Sequence, residues 1–228
     1  MNIKFSSFIA AILFAVQVNA QIKWPGAEYV SNNPYPVYTD LSVALTEPDK
    51  VMALDLSNKF LMSFPAELAH LPNLRVLILD NNQIPDLPAS IGLLKLLEVL
   101  SISGNQLTVL PYEVAHLPNL KELRVDHNYL QYLPIDLGFT AQLELFDASN
   151  NVLESLPKEL GRITLLKYLN VNNNQLTELP NELSGLTNLV KLDISFNKIT
   201  EIPAGLTKPG GKVKIRLEGN LIKAPVGK

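Results

Sequence analysis

His127, Asp126, Asp147 and the serines Ser103 and Ser149 are the residues of this chain whose types and spacing could do chemistry. Asp126 directly precedes His127, and a serine held by that imidazole would complete a nucleophilic triad. Asp126 and Asp147 fall on neighbouring strands of the pattern described below. They could meet as paired carboxylates or hold Ca²⁺. Repetition argues against both. Ser57, Ser103, Ser149 and Ser195 recur at one register, and His70 and His116 share another, in LAHLPNL and VAHLPNL. A residue type that recurs at one register marks a structural slot. The chain has no cysteine, which excludes thiol catalysis, disulfides and thiolate metal sites. It also has no glycine loop of the phosphate-cradling kind. The expectation is a non-enzyme with no catalytic residue, no metal and no cofactor.

The register comes from a 23-residue unit beginning at Val51, Leu74, Leu97, Leu120, Leu143, Leu166, Leu189 and Lys212, without insertion. Positions four and six are apolar, for example Leu77 and Leu79, and alternate with other residues at period two, as in a short half-buried strand. Position nine is asparagine in seven units: Asn82, Asn105, Asn128, Asn151, Asn174, Asn197 and Asn220. The first unit has Lys59 there. An amide both donates and accepts, so these side chains should stack as a hydrogen-bonded ladder where each strand turns away. Position fifteen is proline in all seven complete units, with an apolar residue three later, which predicts a short helix or 3₁₀ turn on the outer side. One unit cannot bury its own apolar face, but a stack can. Strands sit about 4.8 Å apart and helical segments about 8–10 Å, so the stack must curve with its parallel sheet inside.

The pattern LxxLxLxxNxLxxLPxxLxxLxx resembles the typical 23-residue leucine-rich repeat and covers roughly 51–226. The resemblance implies an α/β, right-handed solenoid with a concave parallel sheet and short helical or 3₁₀ segments on the convex side. The segment Ala44 to Pro65 also resembles the start of such arrays in Bacteroidetes-type exported proteins.

The rest of the chain supports three parts: 1–20, 21–50 and 51–228, the last holding eight repeats of which the final one is truncated. Lys4, the apolar run from Phe8 to Val16 and the small residues Val18-Asn19-Ala20 read as a signal peptide. No second apolar run of spanning length follows, so no transmembrane anchor is expected. Export without cysteine fits a secreted, periplasmic or cell-surface protein of a bacterial envelope. Residues 21–50 read as an N-terminal cap in which Asp40 starts a short helix with Leu41, Ala44 and Leu45 on one face, stopped by Pro48. Trp24, Tyr29, Tyr35 and Tyr38 could alternatively form an aromatic ligand platform. The net charge of −3 is too mild to imply nucleic acid. Six basic residues against Glu218 from Lys208 onward are expected to charge and protect an exposed edge strand.

Function should be written where the unit does not repeat, at positions three and five, which face out of the concave sheet. Val76, Ile78 and Val99 form one expected apolar patch, and Leu145 with Tyr168 another. Glu122, Arg124, Asp147, Asn170, Lys191 and Asp193 lie between and beyond them. Exposed apolar groups rimmed by charge point to a surface for a protein or peptide, with Tyr168 and Arg124 as anchors of a monomeric recognition module. The alternatives are a structural or adhesive surface protein with glycan contacts, and a signalling scaffold of the intracellular type that the LP-type unit also resembles. The export reading has a direct check. The mature protein should start at Gln21 when its N-terminus is determined by mass spectrometry after expression with the full leader. A chain retained in the cytoplasm with residues 1–20 attached contradicts it.

Overall fold

The computed structural model describes residues 34–207 and 213–222. The leader, its cleavage position, Trp24, Tyr29, Lys208, Lys212, Lys223 and Lys228 lie outside the described residues. Among the described residues nine parallel strands form one sheet in strict chain order. They are β1 (Val37–Tyr38), β2 (Ala53–Asp55), β3 (Val76–Ile78), β4 (Val99–Ser101), β5 (Glu122–Arg124), β6 (Leu145–Asp147), β7 (Tyr168–Asn170), β8 (Lys191–Asp193) and β9 (Lys214–Arg216). From β2 onward every strand is positions three to five of its unit, and position pairs with the same position of the next unit, as in Val99↔Glu122 and Leu145↔Tyr168. The 23-residue period therefore sets the register of the whole sheet.

Each of the strands β2 to β7 leads to a turn opened by the repeated proline. Pro65, Pro88, Pro111, Pro134, Pro157 and Pro180 stand at the N-caps of five-residue 3₁₀ turns such as Tyr112–His116 and Ile135–Phe139. Pro has no N–H to leave unsatisfied there, and its fixed φ suits the start of a turn. The apolar residue three later, including Leu68, Val114 and Leu160, is fully buried. Together with positions four and six these side chains make one continuous core along the solenoid.

The ninth strand goes beyond the eight that the repeats predict. β1 pairs in parallel with β2 through Val37↔Ala53 and Tyr38↔Leu54, and so covers the N-terminal edge of the sheet. Asp40 then caps the helix α1 (Leu41–Ala44) by accepting from the amides of Ser42 and Val43. Ala44 is buried, and Tyr38, Leu41 and Leu45 pack on the main core.

The asparagine column is the strongest polar feature of the interior. Asn128 accepts from Leu107 N at 2.9 Å and donates to Ile102 O and Val125 O at 3.0 Å each. The first and second of these partners belong to the preceding repeat. Asn105, Asn151, Asn174 and Asn197 repeat the arrangement, and Asn82 accepts from both Lys59 N and Leu61 N. Asn128→Ala should cost about 3 kcal/mol in urea unfolding, because it leaves buried backbone groups without partners. Asn119→Ala, which removes an exposed side-chain bond to Lys95 O, should cost less than about 1 kcal/mol. Equal losses for the two variants contradict the ladder's importance.

Candidate functional site

The concave face is less open than alternation alone implies. Val76, Ile78, Val99 and Leu145 are only 3–6% exposed. Val76, Ile78 and Val99 join Ala53 in a second apolar cluster against which Tyr35 packs, and Arg75 lies over the Tyr35 ring at 5.9 Å. The expectation of an exposed apolar patch on repeats two and three is therefore corrected. Parallel strands about 4.8 Å apart bring like positions into side-by-side contact, and concave curvature brings their tips closer still. Tyr35 covers part of what remains. It acts here as a packing residue of the cap.

Charged and polar positions are buried too. Glu122, Asp147, Asn170 and Asp193 are all buried, whereas Arg124, Tyr168 and Lys191 are half-buried. Glu122 pairs with Arg124 two residues on, and its Oε2 is buried without a hydrogen-bond partner. Burial pushes the Glu122 carboxyl up against the pull of Arg124. Asp193 faces Arg216 at 3.3 Å. At the C-terminal end Lys191 lies over the Tyr168 ring at 5.7 Å and pairs in register with Lys214. Burial, then the Lys214 charge, push the Lys191 ammonium down.

Positions five and seven form a hydrogen-bonded belt. Asp147 Oδ1 accepts from Ser149 N and Oγ, and Asp193 Oδ1 accepts from Ser195 N and Oγ. Asp80 Oδ1 accepts from Ser101 Oγ at 2.7 Å and Ser103 N at 2.9 Å. Asn170 donates to Asp147 Oδ2. The candidate nucleophiles are thus committed to carboxylates. Ser103 Oγ donates to Asp126, whose other oxygen meets His127 Nδ1 at 2.8 Å. The aspartate stands between serine and histidine, which is not the order that activates a nucleophile, where the imidazole must contact the hydroxyl. Asp126 and Asp147 are close enough for the Asp126 charge to add to the burial that raises Asp147. Among the described residues no group of three or more His, Asp or Glu side chains converges to hold a metal. Nor is any helix there long and apolar enough to cross a membrane.

One feature of the site escaped the repeat pattern. Position eight has positive φ in every unit: Asn58, Asn81, Gly104, His127, Asn150, Asn173, Phe196 and Gly219. Asparagine and glycine tolerate this left-handed conformation, and a Cβ on Gly104 would also lie 2.6 Å from Asn81 Oδ1. The asparagines were a legible signal. His127 and Phe196 hid it, because neither residue type advertises that slot. His127 is exposed at this rim, while His70 and His116 end 3₁₀ turns on the outer side.

The parallel sheet, the asparagine column and the proline-led turns define a leucine-rich-repeat protein. A family model described as a leucine-rich repeat region matches residues 50–164, and one for two copies of leucine-rich repeats matches residues 164–208. A leucine-rich-repeat protein of Leptospira interrogans is 35% identical, with a TM-score of 0.78 over 82% of this chain and 48% of that one. The chain therefore spans about half the length of that protein. The leucine-rich-repeat ectodomain of a plant membrane receptor kinase from Arabidopsis thaliana, solved in complex with Casparian strip integrity factor 2, is 25% identical with a TM-score of 0.64, covering 76% of this chain and 28% of that one. An internalin of Listeria monocytogenes is 22% identical with a TM-score of 0.70, covering 80% and 52%, and shares the fold. Among curated proteins none matches. This chain belongs to the leucine-rich-repeat family, whose fold typically serves protein–protein interaction.

The buried acids give a pH prediction. Burial, above all, raises the Asp80 carboxyl from its ordinary value of 3.8. An acid raised on folding costs stability once it ionises. The cost is absent below the unfolded value and grows as pH rises through the folded one. Asp80→Asn keeps the Oδ1 acceptor for Ser101 and Ser103. It should raise the melting temperature at neutral pH, and the gain should vanish below about pH 3, where Asp80 is protonated in both states. A gain independent of pH contradicts the assignment.

Proposed function

We propose that this protein is an exported, non-enzymatic recognition module that binds a protein or peptide on the concave face of repeats six to eight. The observation that carries the reading is the group of Tyr168, Lys191 and Lys214 on β7, β8 and β9. These side chains occupy position three and keep exposed surface, where units two to five carry the buried Val76, Val99, Glu122 and Leu145. Tyrosine brings a large, stiff contact area, and cations beside it favour acidic groups on a partner. The peptide side of the reading also draws on the plant ectodomain, whose structure holds a bound factor. The leader-like residues 1–20 support export.

Arg124, an expected anchor, is better regarded as the counter-charge of buried Glu122. Removing it strands a carboxylate, which is expensive in itself. The binding test therefore uses Tyr168→Ala with Lys191→Ala. Pull-down from the native extracellular milieu should recover a protein partner with the wild type and lose at least about tenfold with the double variant, equivalent to about 1.4 kcal/mol. Equal recovery by both forms removes the concave end from the binding surface. Recovery of glycan alone overturns the protein reading.

A further inference from the structure

Six large apolar side chains stand exposed on neighbouring turns of the convex side. Tyr112 and Ile135 open the 3₁₀ turns of repeats three and four, and Val109 and Tyr132 sit three residues before them. Leu93 and Phe139 end the turns of repeats two and four. These six side chains are between 53% and 62% exposed. Together they show on the order of 500 Å², which is toward the upper limit of the largest apolar patch on an ordinary monomer. His116 joins the two rows, since its ring meets that of Tyr112 edge-on at 5.5 Å. Arg162 closes the far side over the Phe139 ring at 5.9 Å.

The fold does not need these residues. At position thirteen other repeats carry Ser63, Asp86, Ser155 or Glu178, and at position sixteen Ala66, Ala89, Lys158 or Asn181. The 3₁₀ turns form equally well in those units. The apolar character at positions thirteen and sixteen is therefore local to repeats three and four and is separate from the concave face. Its repeat-two to repeat-four side carries an acidic excess, and Arg162 is the base on the repeat-five side. Over positions thirteen to twenty-two of repeats two to four stand Asp86, Glu113 and Asp136 against one base, Lys95. Glu113 is close enough for its hydrogen bond to raise the Tyr112 phenol.

We infer that the convex face of repeats three and four is a second docking surface, for a protein segment with an apolar centre and basic flanks. The apolar residues would bury the centre, and Glu113 and Asp136 would pair with its lysines or arginines. This surface is independent of the concave reading and can fail or hold without it.

The test uses three fluorescent twelve-residue probe peptides with one shared Leu-Trp-Leu centre and flanks of lysine, serine or glutamate. Anisotropy should show the lysine-flanked probe binding at least about tenfold more tightly than the glutamate-flanked one, with the gap closing at high salt. Tyr112→Ser with Ile135→Ser should reduce that binding at least about tenfold, with the thermal melt unchanged because both side chains are exposed. Glu113→Lys with Asp136→Lys leaves the apolar residues in place and should reverse the probe preference. No binding of the lysine-flanked probe, or indifference to flank charge, overturns the proposal. So does sedimentation of the free protein as a dimer that Tyr112→Ser with Ile135→Ser dissociates, since a second copy would then own the surface.

Discussion

From the second repeat to the seventh, each bend of this solenoid is built around the side chain of a buried asparagine. The strand has just ended there, so its carbonyls and the amide of the neighbouring coil have no ladder to join. A carboxamide is small enough to enter the gap and has both donors and an acceptor. Asn151 illustrates the consequence. It accepts from Leu130 N of the repeat before and donates to Val125 O of that repeat and Ala148 O of its own. Each asparagine thus fastens two units together, and the column makes adjacent coils interdependent. Apolar burial supplies most of the driving force, but leucines alone would tolerate slippage between units. The amides do not, because a misplaced one leaves several buried backbone groups without partners.

Once that constraint holds, the remaining positions divide by what they face. Positions four and six fill the core, fifteen opens the outer turn, and eight absorbs the left-handed residue that lets the strand leave the sheet. Five and seven became a polar belt in which serines satisfy aspartates along and across strands. In that belt the hydroxyls of Ser103, Ser149 and Ser195 already donate to aspartates. Outside the belt stand side chains that keep exposed surface. On the concave side they are Tyr168, Lys191 and Lys214, and on the convex side Val109, Tyr112, Tyr132 and Ile135.

Much of this was legible from residue order. Asn82 through Asn220, the seven prolines and the apolar alternation define the unit, its register and its curvature without coordinates. Asp40 was legible as a helix cap because a short acceptor before an apolar face has few other uses. Val37–Tyr38 was not, because two residues outside the repeat carry no period. The burial of Val76, Ile78 and Val99 was also hidden. Alternation tells which face a side chain takes, but not what lies over that face. Here Tyr35, brought from 41 residues upstream of Val76, lies against them. The convex patch went unseen for the opposite reason. Tyr112 and Ile135 fall inside a turn that reads as structural, and their departure from Ala89 and Lys158 of the neighbouring units gains meaning only with their exposure.

Native-state hydrogen exchange tests the asparagine constraint most directly. The amides of Leu107, Leu130, Leu153 and Leu176 lie outside any strand, and each donates to an asparagine side chain at 2.9–3.0 Å. They should be protected to within about tenfold of the strand amides in the same repeats, because they open only when neighbouring coils separate. Exchange at the rate of the exposed outer turns would show that the coils are held by apolar stacking alone.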